Sequence, residues 1–165
     1  MASLALVVLC ILTNWLQWRS VVARWPYVAI WTVGLGTWAG IFWWLRRRGG
    51  PVTFVERQIA HLWGASMAAS ALLFGVEAML DLPVLKLAPV LPLIGGMVFV
   101  VKAGMLSGTF YLQAAACFLT AGVMAVAPRY ALAIYGLVSG ACFFVPGLKY
   151  HTQRTRSAPA RTNPL

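Results

Sequence analysis

The sequence predicts an all-α integral membrane protein, a bundle of about six transmembrane helices, on two observations. The first is composition. Of 165 residues, 61% are hydrophobic and 10% charged, against roughly 45–50% and 25% in soluble domains. A soluble domain of this size leaves about a third of its unfolded surface exposed, too much to conceal so apolar a chain in water; lipid removes the difficulty. The second is spacing. Apolar runs close to the ~20 residues that a bilayer-crossing helix needs recur along the chain, separated by short breaks holding Arg, Lys, Pro and Gly.

The spans fall at about residues 2–18, 26–45, 57–80, 87–106, 109–127 and 130–148, so residues 1–148 form one transmembrane domain. The first run is the shortest. It lacks the basic start and small-residue cleavage site of a signal peptide and reads as a retained span. Arg24 and Arg46-Arg47-Arg48 bracket the second, with Trp25, Tyr27, Trp43 and Trp44 near its ends in the aromatic-belt pattern of interfacial side chains. Gly49-Gly50-Pro51 breaks that helix, and Thr53-Phe54-Val55-Glu56 opens the third as a capping box, in which Thr53 and Glu56 satisfy each other's free backbone N–H groups. Asp81, Pro83 and Lys86 form the next break. Pro89 and Pro92 sit in the opening turns of the fourth span, where a missing N–H costs least. Ser107-Gly108 is a tight turn and Pro128-Arg129 closes the fifth span. Residues 149–165 are basic and poor in apolar side chains, the composition of a disordered cytoplasmic tail.

Orientation follows from the Lys and Arg count on the two sides. One side carries Arg46, Arg47, Arg48, Arg57, Lys102, Lys149, Arg154, Arg156 and Arg161, and the other Arg19, Arg24, Lys86 and Arg129. The nine-residue side is the cytoplasmic one, which places both termini inside. Arg46, Arg47, Arg48 and the tail then attract anionic headgroups, at about 1 kcal/mol per charge near the surface.

The net charge of +10 does not indicate nucleic-acid binding, because the basic residues lie between apolar runs and in the tail. Cys10, Cys117 and Cys142 lie inside apolar runs without C-x-x-C spacing, as small packing residues do. No cofactor fingerprint is present: Gly34-Leu35-Gly36 lies within an apolar helix, not at a strand-to-helix turn.

Gly36 and Gly40, Gly104 and Gly108, and Gly136 and Gly140 each form G-x-x-x-G, which puts two glycines on one helix face for close backbone approach. Packing within the bundle is the first use of such faces and a homodimer the second. Lys102, four residues before Leu106, is expected to snorkel towards cytoplasmic headgroups, with a transport role as the alternative. Glu77 and Asp81 share a helix face at the outer end of the third span. They read as a solvated interfacial end with Lys86 as partner, or alternatively as a cation site. His61, one turn after Arg57, reads as a packing residue, since a zinc site needs three or four ligands and His151 in the tail does not complete one. Asn14, Gln17, Ser66, Ser70, Gln113, Thr120 and Ser139 are expected to bond across helices. No nucleophile, base and orienting group can be assembled, so the reading is noncatalytic, and an enzyme acting on lipid is a distant alternative.

Three strings carry a family resemblance: Gly49-Gly50-Pro51-Val52-Thr53-Phe54-Val55-Glu56-Arg57-Gln58-Ile59-Ala60-His61, Val100-Val101-Lys102-Ala103-Gly104, and Phe143-Phe144-Val145-Pro146-Gly147-Leu148-Lys149-Tyr150. Together they resemble the membrane region that follows the catalytic domain in bacterial serine/threonine protein kinases of the planctomycete kind, over roughly Trp25 to Tyr150. The Gly-rich phosphate loop, its paired lysine and the H-R-D-type and D-F-G-type segments of a kinase are missing. The resemblance therefore implies the membrane part alone, as a split, truncated or free-standing module in the bacterial inner membrane, without phosphotransfer. It implies anchoring or sensing for a separate kinase or other cytoplasmic signalling protein. The competing reading is a small transporter or channel subunit that uses Glu77, Asp81 or Lys102.

Overall fold

Six α-helices and one short 3-10 turn account for the regular structure of a computed structural model of the chain. It describes residues 2–19, 23–47 and 53–156, the side chains of residues 2, 3, 5, 38, 42, 45–47 and 145–156 excepted. Among the described residues there is no strand. The helices are α1 (Ala2–Trp18), α2 (Trp25–Arg47), α3 (Phe54–Met79), α4 (Val90–Met105), α5 (Thr109–Val126) and α6 (Ala131–Arg156), with the 3-10 turn at Pro128–Tyr130. Among the described residues, α3 and α5 are long and apolar enough to cross a membrane, and Leu6–Trp18 and α4 are shorter apolar helices.

Local chemistry accounts for the boundaries. The Thr53 N–H donates to Glu56 Oε2 at 3.1 Å and the Glu56 N–H to Thr53 Oγ1 at 3.4 Å, the reciprocal capping box read from the sequence. Helix α4 begins at Val90 rather than Leu87, because residues 84–89 form consecutive turns ahead of Pro89 at its N-cap. Helix α6 runs to Arg156, eight residues beyond the expected end at Leu148, so the expected tail from residue 149 starts as helix. The basic run's Arg48, the break at Gly49-Gly50-Pro51 and the tail residues 157–165 lie outside the described residues, as do the side chains of Arg46, Arg47 and His151.

Contacts set which helix ends meet. Trp18 Nε1 donates to the Arg129 carbonyl at 3.3 Å and the Trp18 ring meets Tyr130 edge-on. Arg24 Nη2 donates to the Leu82 carbonyl at 2.9 Å. These join the end of α1, the start of α2, the α3–α4 linker and the α5–α6 corner at one end of the bundle. Trp63 of α3, Phe99 and Lys102 of α4 and Phe110 of α5 gather at the opposite end. Two apolar clusters fill the interior accordingly. Cys10, Trp31, Leu91, Met124 and Leu132 belong to the first, and Phe99, Phe110, Ala114, Cys117 and Cys142 to the second.

Large apolar side chains make up part of the exterior. Met79, Val126, Leu112 and Leu119 are each more than two-thirds exposed, and large apolar side chains face outward on every helix. Soluble monomers rarely carry contiguous apolar patches beyond a few hundred Å², so this surface needs an apolar covering.

Candidate functional site

The middle of the bundle contains a cavity of about 150 Å³, bordered by Trp31 of α2, Trp63, Ser66 and Ser70 of α3, and Phe99 of α4. Its floor is aromatic. The Trp63 and Phe143 centroids lie 5.3 Å apart, Phe99 is 6.0 Å from Phe143, and Trp63 meets Phe99 edge-on at 6.3 Å. Below that floor the Lys102 ammonium sits 4.6 Å from the Phe110 ring centroid, 5.4 Å from Phe99 and 5.7 Å from Trp63. All three distances are within cation–π range. The lysine is held on ring faces. Among the described residues it contacts no carboxylate. Helical spacing explains the arrangement in part, because Phe99 precedes Lys102 by three residues and shares its face. The contributions of Trp63 and Phe110 come from other helices.

At the other end, Glu77 is 4% exposed. Its Oε2 accepts from the Leu85 N–H at 3.1 Å and its Oε1 from the Leu87 N–H at 2.6 Å. The linker needs this anchor. Leu85 adopts φ 67, a left-handed conformation costing a bulky residue of order 1–3 kcal/mol. Glu77 is thus neither solvated nor paired with Lys86, and the expected reading of it is corrected: the carboxylate is an internal cap for the α3–α4 linker. Asp81 turns away, exposed and also left-handed at φ 52, and faces Arg24 at 3.6 Å. Glu77 is engaged with the linker backbone and Asp81 with Arg24.

The remaining candidates separate. His61 Nδ1 lies 2.9 Å from the Arg57 carbonyl on its own helix and is exposed. Among the described residues no group of three His, Cys, Asp or Glu could hold a metal ion. Of the G-x-x-x-G pairs, Gly136 is packed so closely that an added Cβ would lie 2.6 Å from Cys10 Cβ, and Gly140 is buried beside it. Around Gly36, Gly40, Gly104 and Gly108 an added Cβ meets nothing within 4 Å. Ser66, Ser70 and Thr120 do not bond across helices as expected; each bonds a carbonyl of its own helix, the usual recourse of a helical hydroxyl. Gln113 does cross, donating to the Cys142 carbonyl at 3.1 Å.

Two features were missed in the sequence. Cys117 of α5 and Cys142 of α6 belong to one buried cluster, a grouping that no short spacing announces. Trp31, outside the expected site residues, is 7% exposed with its Nε1–H buried and without an acceptor. The only available signal for it was a tryptophan placed mid-span, away from the interfacial belts that tryptophan favours. Comparison with protein-family models, curated proteins and solved structures returned no match to this chain.

Proposed function

We propose that the chain is a noncatalytic, multi-pass module of the bacterial inner membrane, with six spans and both termini cytoplasmic, that anchors or senses for a serine/threonine-kinase-type signalling partner. The observation that carries the membrane part is the outward face of the bundle. Large apolar side chains such as Leu72, Leu112, Leu119 and Val126 are exposed along helices, a surface suited to hydrocarbon and unsuited to water. Charge supports the orientation, since nine Lys and Arg residues fall on the side assigned to the cytoplasm and four on the other. The kinase partner is supported by the resemblance of the Gly49–His61 and Phe143–Tyr150 strings. A transport pathway has less behind it: Glu77 is satisfied by backbone, Lys102 lies at the opposite end, and the cavity between them is chiefly apolar.

Alkaline carbonate extraction of membranes should leave the protein in the pellet; release into the supernatant overturns the membrane reading. Reporter fusions after Trp18, Arg47, Met79, Met105, Val126 and Leu165 should alternate in location, ending inside. Crosslinking in native membranes followed by affinity capture should recover a protein with a kinase catalytic domain. Its repeated absence from capture would remove the signalling half of the reading alone.

A further inference from the structure

All six helices contribute to the wall of the central cavity, from Leu6 of α1 through Cys117 of α5 to Ser139 of α6. It is an interior space, and its size, charge and hydrogen-bonding groups limit what can occupy it. Its volume of about 150 Å³ matches that of an apolar protein cavity that takes up benzene, and is far too small for a phospholipid. Among the described residues no Lys, Arg, Asp or Glu borders it. A charged ligand would therefore lose its hydration with no countercharge to replace it.

The polar groups narrow the choice further. The Ser66 hydroxyl donates to the Trp63 carbonyl and the Ser70 hydroxyl to the Ser66 carbonyl, each at 2.8 Å. A hydroxyl has one hydrogen and two lone pairs, so these two oxygens are left to accept. Tyr135 and Ser139 also border the space, and their hydroxyls can serve either role. An acyl chain has no donor to offer such a wall. The floor favours a ring: Trp63, Phe99 and Phe143 already lie 5.3, 6.0 and 6.3 Å from one another, within the range at which aromatic rings attract.

We infer that the central cavity binds a small neutral aromatic molecule bearing one O–H or N–H donor, with phenol as its simplest form. The ring rests on Trp63, Phe99 and Phe143, and the donor reaches Ser66 Oγ or Ser70 Oγ. Entry is lateral. A groove between α2 and α3, bordered by Gly36, Ala39, Ala68 and Ala71, shares Trp31, Met67, Ser70 and Leu91 with the cavity, and apolar rings partition into the bilayer alongside it. Such a site gives the sensing role a ligand class, and it rests on the membrane reading for its route of entry.

Fluorine NMR of fluorophenol added to the full chain in nanodiscs tests this, on preparations first shown by carbonate extraction to be membrane-integrated. The parent should give a saturable, shifted resonance that empty nanodiscs lack. Gly95→Leu should abolish it while staying folded, because Gly95 borders the cavity and an added Cβ there meets nothing within 4 Å. Ser66→Ala combined with Ser70→Ala keeps the space and removes both acceptors. That variant should bind fluorophenol about two- to tenfold more weakly, the worth of one hydrogen bond. It should bind fluorotoluene, in which a methyl replaces the hydroxyl, no more weakly than the parent does. No saturable signal from the parent, equal binding by folded Gly95→Leu, or an equal loss for both ligands in the serine variant would each overturn the site. Release of the protein at the extraction step would instead overturn the membrane reading and the lateral route.

Discussion

Two seams of this bundle carry similar small-residue signatures and have opposite structures. Between α1 and α6, Gly136 lets the helices approach until an added Cβ would lie 2.6 Å from Cys10 Cβ and 3.7 Å from the Val7 Cα. Between α2 and α3, Gly36 and the neighbouring alanines border an open groove instead. The difference teaches that G-x-x-x-G marks a face able to be approached, and that the remaining packing decides whether anything approaches it. The α1–α6 seam closes because Cys10 and Leu132 belong to one buried cluster. The α2–α3 seam is held by Trp31 on Phe74 and by Arg24 on the Leu82 carbonyl of a linker that Glu77 anchors.

The largest expected effect therefore falls on the anchor of the open seam. Glu77→Ala strands the Leu85 and Leu87 N–H groups and should cost about 3–6 kcal/mol, given ~1.5–3 kcal/mol for each hydrogen bond to a charged group. Thermal unfolding in detergent reads the loss, and limited proteolysis should cut within residues 81–89 earlier than in the parent. Next comes the closed seam. Gly136→Leu forces a side chain into Cys10 and the α1 backbone and should cost about 1–3 kcal/mol as overpacking, whereas Gly36→Leu should shift the unfolding midpoint little. Equal penalties at the two positions would erase the contrast between the seams.

Smaller effects sharpen the picture at the opposite end of the bundle. Lys102→Met removes an ammonium from three ring faces and should cost about 1 kcal/mol or less, the range for cation–π pairs open to solvent. Measurement at two salt concentrations checks the assignment: a contact with rings persists in high salt, whereas an exposed ion pair weakens. The smallest expected change belongs to Gly40→Ala. Its added methyl meets nothing within 4 Å, and the midpoint should stay level or rise slightly, because alanine favours a helix over glycine by about 1 kcal/mol.

Much of the fold was legible in the chain because it depends on short-range rules. Helix α3 starts where a capping box needs only Thr53 and Glu56 three positions apart in one local turn. Helices α4 and α5 part at Ser107-Gly108 for the same kind of reason. The site was legible only in pieces. Lys102 stood out as a charge within an apolar run, yet its partners Trp63 and Phe110 come from the helices before and after its own. Glu77 stood out as an acid beside a linker, and nothing nearby in sequence showed that this linker folds back over it.

By itself, then, the sequence determined the number of helices, the capping of the third and their apolar composition, since periodicity, caps and composition act within a few residues. Only the tertiary structure decided which G-x-x-x-G faces closed, where the Glu77 carboxylate and the Lys102 ammonium found their partners, and that Cys117 and Cys142 share one buried cluster. Those outcomes depend on how distant helices share a limited interior. Packing there is a collective result: Gly136 met a close neighbour and Gly36 did not because the positions of all the helices, not a local motif, set the gap between any two.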